Sequence, residues 1–125
     1  MIEVLCVMTA GAVGALARWG TDNLSRHYLG AAFPWGTLFV NVLGCFLFGL
    51  FMQIDAQSGG FSKPLKLVVT SGFLGAFTTF STFGFNTWIF IKDGHYTSAL
   101  LNIGTNLILG ILAVWGGATI AKFLN

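Results

Sequence analysis

Four apolar runs, roughly residues 2–21, 34–55, 65–91 and 97–123, constrain this chain more than any other feature. A helix needs about 20 predominantly apolar residues to cross a bilayer. Each run meets that length, and together they nearly exhaust the 125 residues. Only 8% of the chain is charged, against 55% hydrophobic and 13 phenylalanines. Soluble domains carry about 25% charged residues, so this chain could not clothe a soluble surface. The expected fold is all-α: a single membrane domain over residues 1–125 with four transmembrane helices, multi-pass in the cell (inner) membrane. Ala15-Leu16-Ala17 resembles a signal cleavage site. The only charge ahead of it is the acidic Glu3, where a signal would be basic, so the first run is expected to stay as a helix.

The third run is a poor continuous helix. Gly72 and Gly75 are followed by Thr78, Thr79, Ser81 and Thr82, with Gly84 beyond. Glycine costs about 1 kcal/mol relative to alanine inside a helix, and hydroxyl side chains compete for nearby backbone groups. Non-helical backbone at membrane depth is tolerated only where protein or a polar path surrounds it. A break near the middle of this span, flanked by polar side chains, reads as the working part of a channel or transporter. The plain alternative is a small-residue packing notch whose hydroxyls bond to their own helix.

Four spans put both termini on one side, with Lys63, Lys66 and Lys122; Arg18, Arg26 and Lys92 fall on the other. Orientation follows a Lys/Arg bias in short loops, and three against three gives none. The chain is expected to insert both ways up and to pair as an antiparallel, dual-topology homodimer. Four short spans are also few to enclose a path alone.

Polar residues recur at helical spacing inside the runs. Thr37 and Asn41 share a face of the second, and Ser98, Asn102 and Asn106 form a stripe on the fourth. Phe80 and Phe83 stand three apart around Ser81 and Thr82. Glycine pairs and small residues in spans one, two and four are expected to allow close helix approach, among them Gly14, Gly104, Gly110, Gly116 and Gly117. Two readings of Arg18 stand: it snorkels to the interface, or it draws anions into a vestibule. Cys6 and Cys45 have no metal-ligand spacing and read as packing residues.

Asp22, Asp55, Asp93, Glu3, His27 and His95 all fall at run ends or in loops. Proton-coupled transport or hydrolysis within the membrane would need an acid or base there, so no enzyme is expected. The inventory is rich in uncharged donors instead: the Asn41, Asn102 and Asn106 amides and the Thr37, Ser81 and Thr82 hydroxyls. Phenyl edges add positive quadrupole ends. Such a set suits a small, hard anion that must exchange its water shell.

Gly75-Ala76-Phe77-Thr78-Thr79-Phe80-Ser81-Thr82-Phe83 resembles the third-helix signature of the Fluc fluoride channels, also called CrcB proteins. Gly36-Thr37-Leu38-Phe39-Val40-Asn41 resembles that family's second-helix motif, and Gly11-Ala12-Val13-Gly14 through Arg18-Trp19 its first. The resemblance implies an antiparallel homodimer with two pores, exporting fluoride passively. It implies that Phe80 and Phe83 line the pores, with Asn41, Ser81 and Thr82 on a polar track and Arg18 at a vestibule. It further implies a structural sodium ion on the dimer axis, held by the carbonyls of Gly75 and Thr78. Gly84 departs from the serine of many relatives, and Asn102 and Asn106 are assigned from their stripe. The implied partners are fluoride, a second copy and the lipid bilayer, with no nucleic acid. The competing classes are a four-span drug-proton exchanger, which would need an acid within a span, and a non-transporting assembly subunit whose polar stripes meet one another.

Overall fold

The computed structural model describes residues 1–124. Among them, α1 spans Ile2–Leu29, α2 Trp35–Gln57 and the last helix, α5, Tyr96–Lys122. Between them the span Lys63–Lys92 is interrupted, giving α3 (residues 63–77) and α4 (Phe80–Lys92). Four helical spans are thus long and apolar enough to cross a membrane. Every backbone group in hydrocarbon needs an internal partner, and helices meet that demand.

α1 runs eight residues past the expected end at 21. Asp22, Asn23 and His27 therefore lie within the helix rather than beyond its end. Helix propagation needs backbone bonds, not hydrophobicity. The Thr21 hydroxyl bonds the Ala17 carbonyl (2.8 Å), and Arg26 pairs with Asp22 one turn back (2.9 Å). The helix stops only at Gly30, at φ 81°. Pro34 stands just ahead of α2, where its missing N–H costs no helical bond.

The third span breaks as expected, but the glycines are not the breaking residues. Gly75 is helical, and the extended residues are Thr78 (φ −80°, ψ 159°) and Thr79 (φ −149°, ψ 112°). Upstream, Leu67–Leu74 winds as a wide π-helical stretch. There the Thr70 hydroxyl takes up the Lys66 carbonyl at 2.7 Å, an alternative to the normal ladder. At the span's outer end Asp55, in the last turn of α2, accepts from the Phe61 N–H and pairs with Lys66 at 2.8 Å, closing the Ser58-Gly59-Gly60 turn.

Packing rests on backbone approach. Without a hydrophobic drive between helices in lipid, van der Waals contact and small residues hold them together. Gly14 lies against the Phe73 carbonyl, and Gly72 faces Ala10 and Val7. Gly49 lies against the Val114 carbonyl and Gly117 against the Phe46 carbonyl, so α2 and α5 touch backbone to backbone twice. Gly110 meets Cys45 Sγ in ordinary contact, while Gly104 and Gly116 make no close approach within the chain, contrary to the sequence expectation. Identical small residues differ here because only those at a helix crossing point touch. Outward faces carry large apolar side chains such as Leu16, Leu100, Ile111 and Trp115.

The crossing of α2 and α5 gives a paired prediction. Gly117→Ala drives a methyl into the Phe46 carbonyl and should destabilise the folded protein by about 1–3 kcal/mol. Gly116→Ala should be neutral or gain up to about 1 kcal/mol of helix propensity. Thermal unfolding in detergent separates the two.

Candidate functional site

The break leaves backbone groups that need partners, and one side chain supplies two of them. Asn41 Oδ1 accepts the Thr79 N–H at 2.8 Å, while Asn41 Nδ2 donates to the Thr79 carbonyl at 3.2 Å. A single amide from α2 thus replaces a strand neighbour for Thr79. The Thr79 hydroxyl then caps α4 by accepting the Thr82 N–H at 3.2 Å, and it donates to Thr82 Oγ1 at 2.9 Å. Such a cap is worth about 1 kcal/mol. Both arrangements divert N–H groups from the helical ladder. Thr79 no longer donates to the Gly75 carbonyl four residues back, nor Thr82 to that of Thr78.

From Asn41 a line of side chains continues across the bundle. Asn41 Nδ2 also donates to Asn106 Oδ1 at 2.9 Å. Asn106 Nδ2 donates to the Asn102 carbonyl at 2.9 Å and to Asn102 Oδ1 at 3.1 Å. Asn102 Nδ2 donates to Thr87 Oγ1 at 2.9 Å and, at 3.4 Å, to the Phe83 carbonyl. The Thr87 hydroxyl donates to that same carbonyl at 2.9 Å. Each primary amide has two N–H donors, and in all three asparagines both are committed to protein acceptors. The hydroxyls differ. Thr82 Oγ1 accepts from Thr79 and keeps its own proton, and Ser81 stands exposed beside the Thr79 hydroxyl at 3.4 Å.

Two cavities flank the break. One of about 350 Å³ is lined by Asn41, Thr78, Thr79, Phe80, Phe83, Asn106 and Gly75, among others. Asp, Glu, Lys, Arg and His are missing from its lining among the described residues. The Phe80 and Phe83 rings lie 5.4 Å apart and tilted by 54°. Phe83 is buried, while Phe80 is 79% exposed and projects from the chain. A second cavity of about 300 Å³ is lined by Arg18, Trp19, Asp22, Thr37, Thr79 and Thr82. Arg18 is half-buried and stands in that lining.

The candidate residues therefore divide. Asn41, Asn106, Phe80, Phe83, Gly75 and Thr78 gather at the first cavity; Arg18, Thr37 and Thr82 gather at the second. Ser81 lies outside both linings, and Asn102 is fully buried in the hydrogen-bonded line. Thr37 and Asn41, four apart on one helix, serve different cavities. Sequence reasoning missed Thr79 as a site residue and Thr87 altogether. Thr79 stood within the hydroxyl run; Thr87 carried no signal beyond being a hydroxyl within an apolar half-span.

Removing the clamp should expose it. In Asn41→Leu the Thr79 N–H is orphaned at a cost of about 1–3 kcal/mol. Hydrogen exchange at Thr79 should accelerate roughly tenfold or more, since about 1.4 kcal/mol is a factor of ten. Unchanged protection would show that Asn41 does not hold the break.

Comparison with known proteins adds to this geometry. The family model described as CrcB-like protein, Camphor Resistance (CrcB), matches residues 5–118. A protein of Dehalococcoides mccartyi named fluoride-specific ion channel FluC is 47% identical over 125 residues, covering 100% of this chain and 96% of the relative. Proteins of the same name from Geobacter sulfurreducens and Hydrogenovibrio crunogenus are each 42% identical. They cover 99% and 98% of this chain and 100% and 92% of themselves.

Proposed function

The chain belongs to the CrcB-like protein family, and from that membership we propose that it is a fluoride-selective channel through which the ion leaves the cytoplasm passively. Its relatives are named as ion channels rather than enzymes, and its four spans make it a multi-pass membrane protein. One observation carries the reading beyond the family name: a helix break held open by Asn41 has the Phe80–Phe83 pair directly against it.

Fluoride is small and strongly hydrated, so a selective path must replace its water. The committed amides make the Asn side chains a scaffold, which leaves the Ser81 and Thr82 hydroxyls as donors toward the ion. The electropositive ring edges of Phe80 and Phe83 supply further contacts. Arg18, on the second cavity, attracts the anion without binding it in the dry region. Asp22 and Asp55 lie within helices, but each is paired with a cation, Arg26 and Lys66. Neither is a free acid of the kind that proton exchange would use.

The pathway is completed by a second, antiparallel copy. Balanced positive charges, the outward-facing Phe80 and the exposed apolar faces support this assembly, in which two such paths form. A structural sodium ion fits the same surface. The carbonyls of Gly75 and Thr78 have lost their helical N–H partners, and Gly75 is exposed. Freed carbonyls of broken membrane helices are suited to a small cation, and two copies would offer four of them. The ion would supply positive charge at the junction of the copies.

Purified protein in liposomes loaded with potassium fluoride should release fluoride, and not chloride, on addition of a potassium ionophore. In that assay Phe80→Ile should cut release at least tenfold while the dimer persists on size exclusion, because isoleucine keeps an apolar side chain on the outward face and the ring is mostly outside this chain's own packing. Full release would make Phe80 a packing group. Gly75→Val sets a side chain 3.3 Å from the Thr70 carbonyl beside the freed carbonyls, and should lower both assembly and sodium content. A variant that assembles normally and keeps its sodium removes the carbonyl site.

A further inference from the structure

We propose that Thr87 is a positioning residue for the ion path: its hydroxyl anchors the far end of the hydrogen-bonded line that ends on the backbone of the helix break. The proposal rests on the break being the ion path. Thr87 lines neither cavity beside the break, so it acts only through others.

Every bond of this line runs in one direction. At one end stands the Thr79 N–H, which can only donate; at the other stands the Phe83 carbonyl, which can only accept. Between them Asn41, Asn106 and Asn102 each pass the same sense along. An asparagine amide presents nearly the same shape either way round, so its partners decide which end is oxygen: Thr79 backbone groups for Asn41, the Asn102 carbonyl for Asn106, and Thr87 with the Phe83 carbonyl for Asn102. Thr87 Oγ1 gives Asn102 Nδ2 its well-placed acceptor, the alternative at the Phe83 carbonyl being 3.4 Å away. Without it, Asn102 Nδ2 keeps only the long bond to the Phe83 carbonyl, and Asn102 is freed to shift. Its Oδ1 then no longer holds Asn106 Nδ2 firmly, and the Asn106–Asn41 contact that backs the break loosens in turn. Water cannot substitute easily: Asn102 is 0%, Thr87 8% and Asn106 9% exposed.

The test labels the side-chain amides of the six asparagines with nitrogen-15 in the full-length protein and compares Thr87→Val, Thr87→Cys and Thr87→Ser. Valine keeps the shape and removes the acceptor, while a thiol accepts only weakly. The expected result is a displaced Asn41 amide signal and at least tenfold slower fluoride release in Val, an intermediate state in Cys, and native behaviour of both in Ser. If Val shifts Asn102 alone, with Asn41 and release as in the native chain, Thr87 is merely structural and the proposal fails. Should Val not assemble, the Cys and Ser variants decide, and native Asn41 signals in both overturn it. Native protein that releases no fluoride would count against the channel reading, while the Asn41 signals still judge the line itself.

Discussion

The arrangement depends on a side-chain amide standing in for backbone. An interrupted helix in hydrocarbon leaves N–H and C=O groups that water cannot reach, and Asn41 satisfies both of those belonging to Thr79. Without that pairing both groups would stand unbonded at membrane depth. The Thr79 hydroxyl secures the other side by starting α4. The interruption is thus a designed feature with partners on two helices.

The same accounting separates two kinds of polar group that look alike in a list. Asparagine is costly in a membrane unless fully bonded, and here Asn41, Asn102 and Asn106 spend their donors on one another and on α4. They fix geometry. The hydroxyl of Thr82 accepts from Thr79 and keeps a proton that the protein does not use, because a hydroxyl can accept within the fold and still donate outward. Spent and unspent donors thereby sit on different residues beside the same break.

Much of the fold was legible because bilayer thickness imposes span length: all four runs became helical spans, and the glycine–threonine stretch held the break. The break's placement was not legible, since it follows from Asn41, 38 residues away. Periodicity put Asn102 and Asn106 on one face, yet could not say that one meets Asn41 and the other Thr87. Hydropathy misjudged the end of α1 because the Arg26–Asp22 pair carries that helix beyond the apolar run. Small-residue spacing treated Gly116 and Gly117 alike, and only the second lies where helices cross.

Thr79 belongs to the wall of both cavities. It is the one residue named here that the two recesses share, so any shift of its main chain reshapes both at once.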